Sequence, residues 1–340
     1  MANEKGLKLL SKLDFYPEYR EDCGKTPEVE TGRFKYFREV AKRRNAPLLT
    51  ANLMFLITLI PLLALFILLE VFGGTEAIAY KLAGVEESPY LLGGVGFGAA
   101  SVTMTALDVQ MKILDVYYII FAIVGVAAFV VSIGFGGMTH LSMKFIIGDT
   151  FISKKDNYGN DVPRGVKEYF KGIKRTGKEM TIVGAIFLVL FAGIANLFVL
   201  FIGKFWQNQA NAGYWIMIIL ASICVIFALM FVVHLIPTIA LYDMPLKSKM
   251  KNSAIFALQM FPQNLALVAV LCLPFVLIAT LDMFIAVIII AVMLCYGSKW
   301  YSLTLCNFEQ YLSEKIITPV YNSRYGKRTG NAKKINKKKK

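Results

Sequence analysis

Long apolar runs alternate with shorter polar segments along this chain. An α-helix rises about 1.5 Å per residue and the hydrocarbon layer of a bilayer is about 30 Å thick, so a span needs about 20 mainly apolar residues. Six runs come close to or exceed this length. They predict transmembrane helices at 48–72, 116–143, 180–203, 213–241, 264–281 and 283–300. The last two would be too long for the bilayer as one helix, so we interpret Asp282 as a tight turn between them.

The distribution of lysine and arginine predicts the orientation of these helices. The successive polar segments 1–47, 74–115, 144–179, 204–212, 242–263 and 299–340 contain 11, 2, 9, 1, 3 and 11 of these residues. With none at the Asp282 turn, high and low counts alternate, as insertion with the positive loops inside requires. We therefore expect a multi-pass protein of the cell membrane with both termini in the cytoplasm.

A short amphipathic segment precedes each outward-going helix, at 33–44, 164–178 and 247–261. In the second segment, apolar residues recur at helical spacing opposite four lysines: Val166, Tyr169, Phe170 and Ile173 against Lys167, Lys171, Lys174 and Lys178. A helix of this kind is expected in the headgroup plane, where its lysines are candidate contacts for anionic lipid. The predicted fold class is all-α: about six transmembrane helices in three consecutive hairpins, each preceded by a cytoplasmic amphipathic helix. The alternative is that any chain re-entering the membrane acquires basic interfacial residues without a true repeat.

The chain divides into three predicted regions: a cytoplasmic segment at 1–32, a membrane domain at 33–312 and a basic tail at 313–340. The tail holds eight basic and no acidic residues from 325 onward, and we expect it to be disordered. Its predicted partner is the anionic membrane surface, and no specific binding of nucleic acid is predicted. The first 47 residues contain no apolar run of signal-peptide length, so the first span is expected to direct insertion.

Composition excludes a soluble globule, because 56% of the residues are hydrophobic, 18% are charged and the mean hydropathy is +0.57. Five cysteines without metal-ligand spacing and only two histidines leave little material for catalysis. The glycine-rich run at 93–98 lacks the strand that a dinucleotide fingerprint needs. No catalytic, metal or cofactor site is therefore predicted, and the chain is not expected to be an enzyme.

Polar side chains inside the predicted spans are the candidates for function. His234 lies three residues before Pro237, and Asn52 and Asn196 are the other candidates for an intramembrane polar site. A transport path or proton relay would use such groups, although interhelical hydrogen bonds also account for the two amides.

The second span carries small side chains at every fourth position. These form a candidate helix-packing stripe: Ala128, Ser132, Gly136 and His140. Packing is favoured over a ligand role, because small residues at this spacing let another helix approach closely.

Several short motifs carry a resemblance to a known family. They are Phe37-Arg38, Ala51-Asn52-Leu53, Pro61, Gly136-Gly137-Met138-Thr139, Lys251-Asn252-Ser253 and Phe261-Pro262-Gln263-Asn264. Over residues 33–312 the chain resembles the YesL-like family of bacterial membrane proteins, a domain of unknown function often met near sugar-uptake genes. The resemblance implies a bacterial inner-membrane protein that assists or regulates carbohydrate import.

Three functions stay open at this point. The first is an accessory or regulatory subunit that works with a transporter subunit, or as a homo-oligomer, in solute import. The second is a small permease with a path lined by His234, Asn52 and Asn196. The third is a membrane scaffold that binds anionic lipid through its amphipathic helices.

Overall fold

The computed structural model describes residues 33–43, 45–71, 106–147, 153–155, 161–163, 165–280 and 283–317. Within these ranges the protein is almost entirely helical. The α-helices, numbered in chain order, are α1 (Arg33–Arg43), α2 (Asn45–Val71), α3 (Ala106–Ile147), α4 (Gly165–Leu188), α5 (Asn196–Trp206), α6 (Ala212–Leu241), α7 (Leu246–Gln259), α8 (Phe261–Thr280), α9 (Met283–Val292) and α10 (Ser298–Leu312). A short antiparallel ribbon of β1 (Ser153–Lys155) and β2 (Asp161–Pro163) connects α3 to α4.

Three short π-helical segments interrupt or extend this series. They are Val189–Ala195 between α4 and α5, Met293–Gly297 between α9 and α10, and Ser313–Ile317 after α10. A π turn shifts the backbone bonding by one residue, so some carbonyl groups lose their usual helical partner. Such carbonyls need other donors when they are buried.

Five helical stretches of the described chain are long and apolar enough to cross a membrane. They are Phe121–Ile147, Gly165–Phe205, Ala212–Leu241, Phe261–Ile278 and Phe284–Leu312. These stretches are those of a multi-pass membrane protein, as the hydropathy pattern predicts. The first predicted span, at 48–72, lies in α2 and is not among the five, so the count of six spans and the hairpin arrangement stay predictions.

Large apolar side chains are exposed along these helices. On α6, Ile216, Leu220 and Ile223 are each more than half exposed, and Phe284 on α9 is 77% exposed. Soluble proteins rarely present continuous apolar surface of this kind to water. Lipid chains would cover such side chains without cost, which agrees with the length and composition of the helices.

The described chain forms two compact units. The first, which we call the polar unit, comprises the described residues up to Leu56, those within Ile133–Met180 and those from Leu229 onward. The second, the apolar unit, comprises the described residues within Ile57–Ser132 and Thr181–Ala228. Among the described residues, every buried polar or charged side chain except Ser132 belongs to the polar unit. Its apolar core is built from fully buried side chains that include Leu48, Met138, Leu141, Ile147, Tyr169, Met180, Met230, Leu235 and Phe256.

The three amphipathic segments are helical, but they do not all form separate elements. The segments at 33–44 and 247–261 correspond to α1 and α7. The segment at 164–178 instead continues into the following apolar stretch as the single helix α4. A lone Gly177 does not end a helix, and no proline stands between the basic and the apolar part, so nothing in the local sequence separates them.

Helix α1 is joined to the rest of the polar unit by hydrogen bonds. The Tyr36 hydroxyl donates to the carbonyl of Ile146 at the end of α3, over 2.6 Å. On α10, Lys299 donates to the carbonyl of Ala41 and to the side chain of Asn45. Helix α1 is therefore held against the end of α3 and the start of α10.

Other predicted features lie outside the described residues. These are the segment at 1–32, the glycine-rich run at 93–98, the turn at Asp282, the thiol of Cys23 and the tail from 318 onward. Helix α3 begins at Ala106, ten residues before the predicted start of the second span.

Candidate functional site

The C-terminal half of α6 places His234 in the core of the polar unit. The α6 sequence is apolar on all sides, which suits a helix that is surrounded by lipid or by protein. From Val232 to Leu241 every residue is buried, and the His234 side chain is fully buried. A polar imidazole at such a site needs hydrogen-bond partners, since burying it without them would cost several kcal/mol, on the order of 2 to 7.

Glu309 on α10 provides the first partner. Its carboxylate oxygen Oε2 lies 3.2 Å from His234 Nδ1, and its Oε1 accepts a hydrogen bond from the Thr238 hydroxyl over 3.2 Å. Glu309 is 1% exposed and Thr238 is 2% exposed. Thr238 is one helical turn after His234, so α6 directs both groups to the same carboxyl group.

Asn264 on α8 provides the second partner, and a helix break explains its position. Helix α7 ends at Gln259 and α8 begins at Phe261 with Pro262 in its first turn, so the regular helical hydrogen bonding is interrupted there. The Met260 N–H still donates to the Phe256 carbonyl over 3.0 Å. The Asn264 amide nitrogen donates to the carbonyls of Phe256 and Ala257 over 3.0 and 3.2 Å. Its oxygen lies 2.9 Å from His234 Nε2.

This arrangement shows which atom of the His234 imidazole faces a hydrogen-bond acceptor. Because the amide nitrogen of Asn264 donates to two carbonyls, its oxygen is the atom that faces the imidazole, and an amide oxygen can only accept. Nε2 therefore carries a hydrogen. The phenyl rings of Phe256 and Phe308 lie 5.7 Å from the imidazole centroid and help to keep the cluster dry. We call this set of residues the His234 cluster: His234, Thr238, Asn264 and Glu309.

The side-chain amide of Asn52 makes a second set of hydrogen bonds between elements of the polar unit. Its nitrogen donates to the carbonyls of Leu294 and Cys295, each over 2.9 Å, and its oxygen accepts from the Ser298 hydroxyl. The two carbonyls belong to the π-helical segment Met293–Gly297, where the regular helical bonds are displaced. Asn52 and Asn264 thus play similar parts, because each donates to two carbonyl groups at an interruption of regular helix.

Asn196 lies in the apolar unit and makes fewer contacts. Its amide nitrogen donates to Ala192 O over 2.9 Å and to Tyr118 O over 3.4 Å. Its oxygen has no partner among the described residues. Ala192 belongs to the π-helical segment before α5, so this amide also serves an irregular stretch of helix. The described hydrogen bonds of Asn52, Asn196 and His234 do not join the three residues to one another.

The small-residue stripe of α3 packs against α4 in each unit. In the apolar unit, a Cβ atom at Gly184 would lie 2.6 Å from the Ser132 hydroxyl, and in the polar unit one at Gly136 would lie 2.6 Å from the Thr176 hydroxyl. A Cβ atom at Gly172 would meet His140 Cβ at 2.9 Å, and Ala128 is half-buried. Glycine at these positions allows the two helices to approach closely.

Two ion pairs hold the first part of α4, up to Met180, within the polar unit. Lys144 on α3 pairs with Glu168 over 2.8 Å, and the fully buried Lys249 on α7 pairs with Glu179 over 2.6 Å. The other face of α4 carries the four predicted lipid contacts, all of which are exposed: Lys167, Lys171, Lys174 and Lys178.

Three residues of the His234 cluster were not predicted as site residues: Thr238, Glu309 and Asn264, of which Asn264 entered the sequence analysis only as part of a family motif. Glu309 follows the predicted end of the sixth span at 300, whereas the helix continues to Leu312. A signal was present in the sequence, because polar residues recur at helical spacing along one face of α10: Ser298, Ser302 and Glu309. The structure buries all three. Thr238 gave no such signal, since a threonine in an apolar helix commonly bonds its own backbone.

The chemistry available to the cluster is the holding and moving of a proton. Among the described residues no group of three or more His, Cys, Asp or Glu side chains is arranged to hold a metal ion. The one hydroxyl group in the cluster, on Thr238, donates to a carboxylate oxygen and not to the imidazole.

Comparisons with protein-family models, with curated proteins and with solved structures find nothing that matches this chain. The resemblance to the YesL-like family therefore stays an expectation.

Proposed function

We propose that this chain is an accessory or regulatory membrane subunit of a solute import system, and that it does not itself form the transport path. It crosses the membrane six times with both termini in the cytoplasm. The observation that carries the proposal is that both side-chain nitrogens of His234, and the nitrogen and oxygen of Asn52, are bonded to other groups of the chain. A passing solute would have to break these bonds in a dry core, at about 1 to 3 kcal/mol for each group left without a partner.

Two further lines support parts of this proposal. The alternation of basic and neutral segments supports the orientation of the termini. The resemblance over residues 33–312 to the YesL-like family supports import as the process and carbohydrate as the solute class. A core of fixed hydrogen bonds suits a subunit whose task is to hold or position a partner.

Reconstitution distinguishes this subunit from a permease. The purified chain in proteoliposomes should take up labelled sugars no faster than empty liposomes do. Crosslinking in native membranes, followed by purification, should recover a permease subunit together with the chain, and removing the chain from the cell should slow uptake. Sugar flux through the purified chain alone, lost in His234→Leu and Asn52→Leu variants that still fold, would establish the permease function instead.

A second candidate function, a scaffold that binds anionic lipid, is favoured by the exposed lysines of α4. At about 100° per residue, Lys167, Lys171, Lys174 and Lys178 fall within an arc of about 60° on the helix surface. The exposed Phe170 borders this arc, and its side chain is 52% exposed. A basic arc beside an exposed aromatic ring, at the start of an apolar helix, is suited to a membrane surface of acidic headgroups.

Exchanging the lysines tests this second candidate. Replacing all four with glutamine should remove about 1 kcal/mol of attraction per lysine and so strip most of the phosphatidylglycerol that copurifies with the chain. The matched control replaces all four with arginine, which keeps the charge and should keep the lipid. Equal lipid content in the glutamine and arginine variants would exclude a role for this charge.

A further inference from the structure

The contact between His234 and Glu309 requires one proton in addition to the one on Nε2. The two facing atoms are Nδ1 of the imidazole and Oε2 of the carboxyl group, 3.2 Å apart. Neither an unprotonated imidazole nitrogen nor a carboxylate oxygen can donate a hydrogen bond. The hydrogen on Nε2 is directed to Asn264 and cannot serve this contact. One proton must therefore lie between Nδ1 and Oε2, either on the nitrogen or on the oxygen.

We propose that His234 and Glu309 form a proton-binding site whose bound proton holds α10 against α6. With one proton in the contact the pair is neutral overall, whether it is written as imidazolium and carboxylate or as imidazole and carboxylic acid. A neutral pair is the form that a dry core tolerates best. This proposal goes beyond the import function and does not depend on it.

The direction of the pH dependence follows from counting protons. When the contact opens, water reaches both groups and each ionises as a free side chain does. Above about pH 6.5 a free carboxyl group is a carboxylate and a free imidazole is mostly neutral, so the extra proton is lost. Opening then leaves a carboxylate and a neutral imidazole that keeps its Nε2 hydrogen, and the proton passes to water. Because the closed form binds one proton more, opening becomes about tenfold more favourable for each pH unit above that value.

The groups around the pair do not supply a competing charge in any described contact. Helix α6 contributes the Thr238 hydroxyl, α8 contributes the Asn264 amide, and α7 and α10 contribute the rings of Phe256 and Phe308. The buried charges on neighbouring helices have their own partners, since Lys249 on α7 is paired with Glu179 and Lys144 on α3 with Glu168. On α3, His140 lies against Gly172 of α4.

Cys306 provides a reporter for this opening. It is fully buried on α10, one turn before Glu309, with its sulfur 3.6 Å from the carbonyl of Thr139 on α3. The experiment uses the full chain in nanodiscs with the other four cysteines replaced by alanine, and measures the labelling rate of Cys306 by an uncharged maleimide. The comparison variant is Glu309→Gln, whose amide can donate to Nδ1 and accept from Thr238 but has no proton to lose.

The ratio of the two labelling rates decides the outcome, because the pH dependence of the thiol itself cancels. From about pH 7 to about pH 9 the rate in the chain that retains Glu309, divided by the rate in the Glu309→Gln variant, should rise about tenfold per pH unit. A constant ratio would overturn the proposal.

A second measurement does not depend on any variant of Glu309. The chain has only two histidines, so ¹⁵N labelling of histidine followed by NMR gives two sets of imidazole signals, and a His140→Gln variant assigns them. The nitrogens of His234 should keep the same shifts between about pH 6 and pH 7, the range in which a free imidazole changes its charge. Titration of His234 like a free imidazole would overturn the proposal.

Discussion

The polar unit and the apolar unit hold their helices together in different ways. In the polar unit, amides and a carboxyl group join helices to one another, as Asn52 joins α2 to the segment before α10 and Asn264 joins α8 to α6 and α7. In the apolar unit, helices meet through glycine and rings: a Cβ atom at Gly125 would lie 3.1 Å from Leu188, and the rings of Phe201 and Trp215 are 4.9 Å apart.

This difference shows what each kind of contact specifies. A buried polar group must find particular partners, because leaving it without them is costly, so the polar unit permits one arrangement of its helices. Apolar contacts among helices in lipid gain less from any single neighbour, and small residues set the distance more than the exact register. We therefore expect the polar unit to be the more sensitive to single substitutions.

The largest effect is expected from Glu309→Ala. This change leaves His234 Nδ1 and the Thr238 hydroxyl without their partner in a buried site, so the free energy of unfolding should fall by about 3 to 5 kcal/mol. Unfolding of the purified chain by denaturant in mixed micelles measures the loss.

Ser132→Ala in the apolar unit is the matched control. The Ser132 hydroxyl donates to Phe129 of its own helix, so its removal should cost less than about 1 kcal/mol. If the two substitutions cost the same, the contrast between the units would be wrong.

A smaller difference is expected between two glycine substitutions. A Cβ atom at Gly137 in the polar unit would lie 2.8 Å from the Tyr169 ring and carbonyl, whereas one at Gly193 in the apolar unit meets nothing closer than Val189 at 3.8 Å. Gly137→Ala should therefore cost about 1 to 3 kcal/mol. Gly193→Ala should change stability by no more than about 1 kcal/mol, and in the stabilising direction. The same unfolding assay tests both, and a harmless Gly137→Ala would show that this helix contact is loose.

The smallest difference in stability is expected between substitutions of Asn52 and Asn196, the two asparagines whose amides donate to carbonyls of π-helical segments. Asn52→Ala removes three hydrogen bonds, one of them to the exposed Cys295, and at the average of about 0.6 kcal/mol for a bond between membrane helices it should cost about 1 to 2 kcal/mol. Asn196→Ala should cost about 0.6 kcal/mol or less. Hydrogen exchange adds a local readout, because the amides of Met293–Gly297 should exchange faster only in the Asn52 variant. Unchanged exchange there would mean that Asn52 does not support the π-helical segment.

Sequence reasoning predicted the long elements well for a simple physical reason. Lipid demands apolar runs of a minimum length, and α6, predicted at 213–241 and observed at Ala212–Leu241, is such a run. The end of α10 was missed because Lys299 and Trp300 resemble interfacial anchors. In the structure Lys299 instead donates to Ala41 and Asn45, and the helix continues for another three turns, which the face of Ser298, Ser302 and Glu309 could have indicated.

The candidate site could be predicted only in part. His234 was identifiable as a polar group inside an apolar run. Its partners were not, because Glu309 lies 75 residues and Asn264 lies 30 residues further along the chain, and helical periodicity carries no information about contacts at such distances. The role of Asn264 also depends on the break between α7 and α8. Pro262 indicates this break, but it does not reveal that the carbonyls of Phe256 and Ala257 accept from the Asn264 amide.

The most direct test of the whole account asks whether α6 crosses the membrane in the proposed direction. Ala212 is the first residue of this 30-residue helix and Asp243 follows its last residue by two positions. Both are exposed, so each can carry a single cysteine in a cysteine-free background. In intact cells a membrane-impermeant maleimide should label Ala212→Cys at once, and Asp243→Cys only after the membrane is opened. Labelling of both positions from the same side, or in the reverse order, would contradict the account.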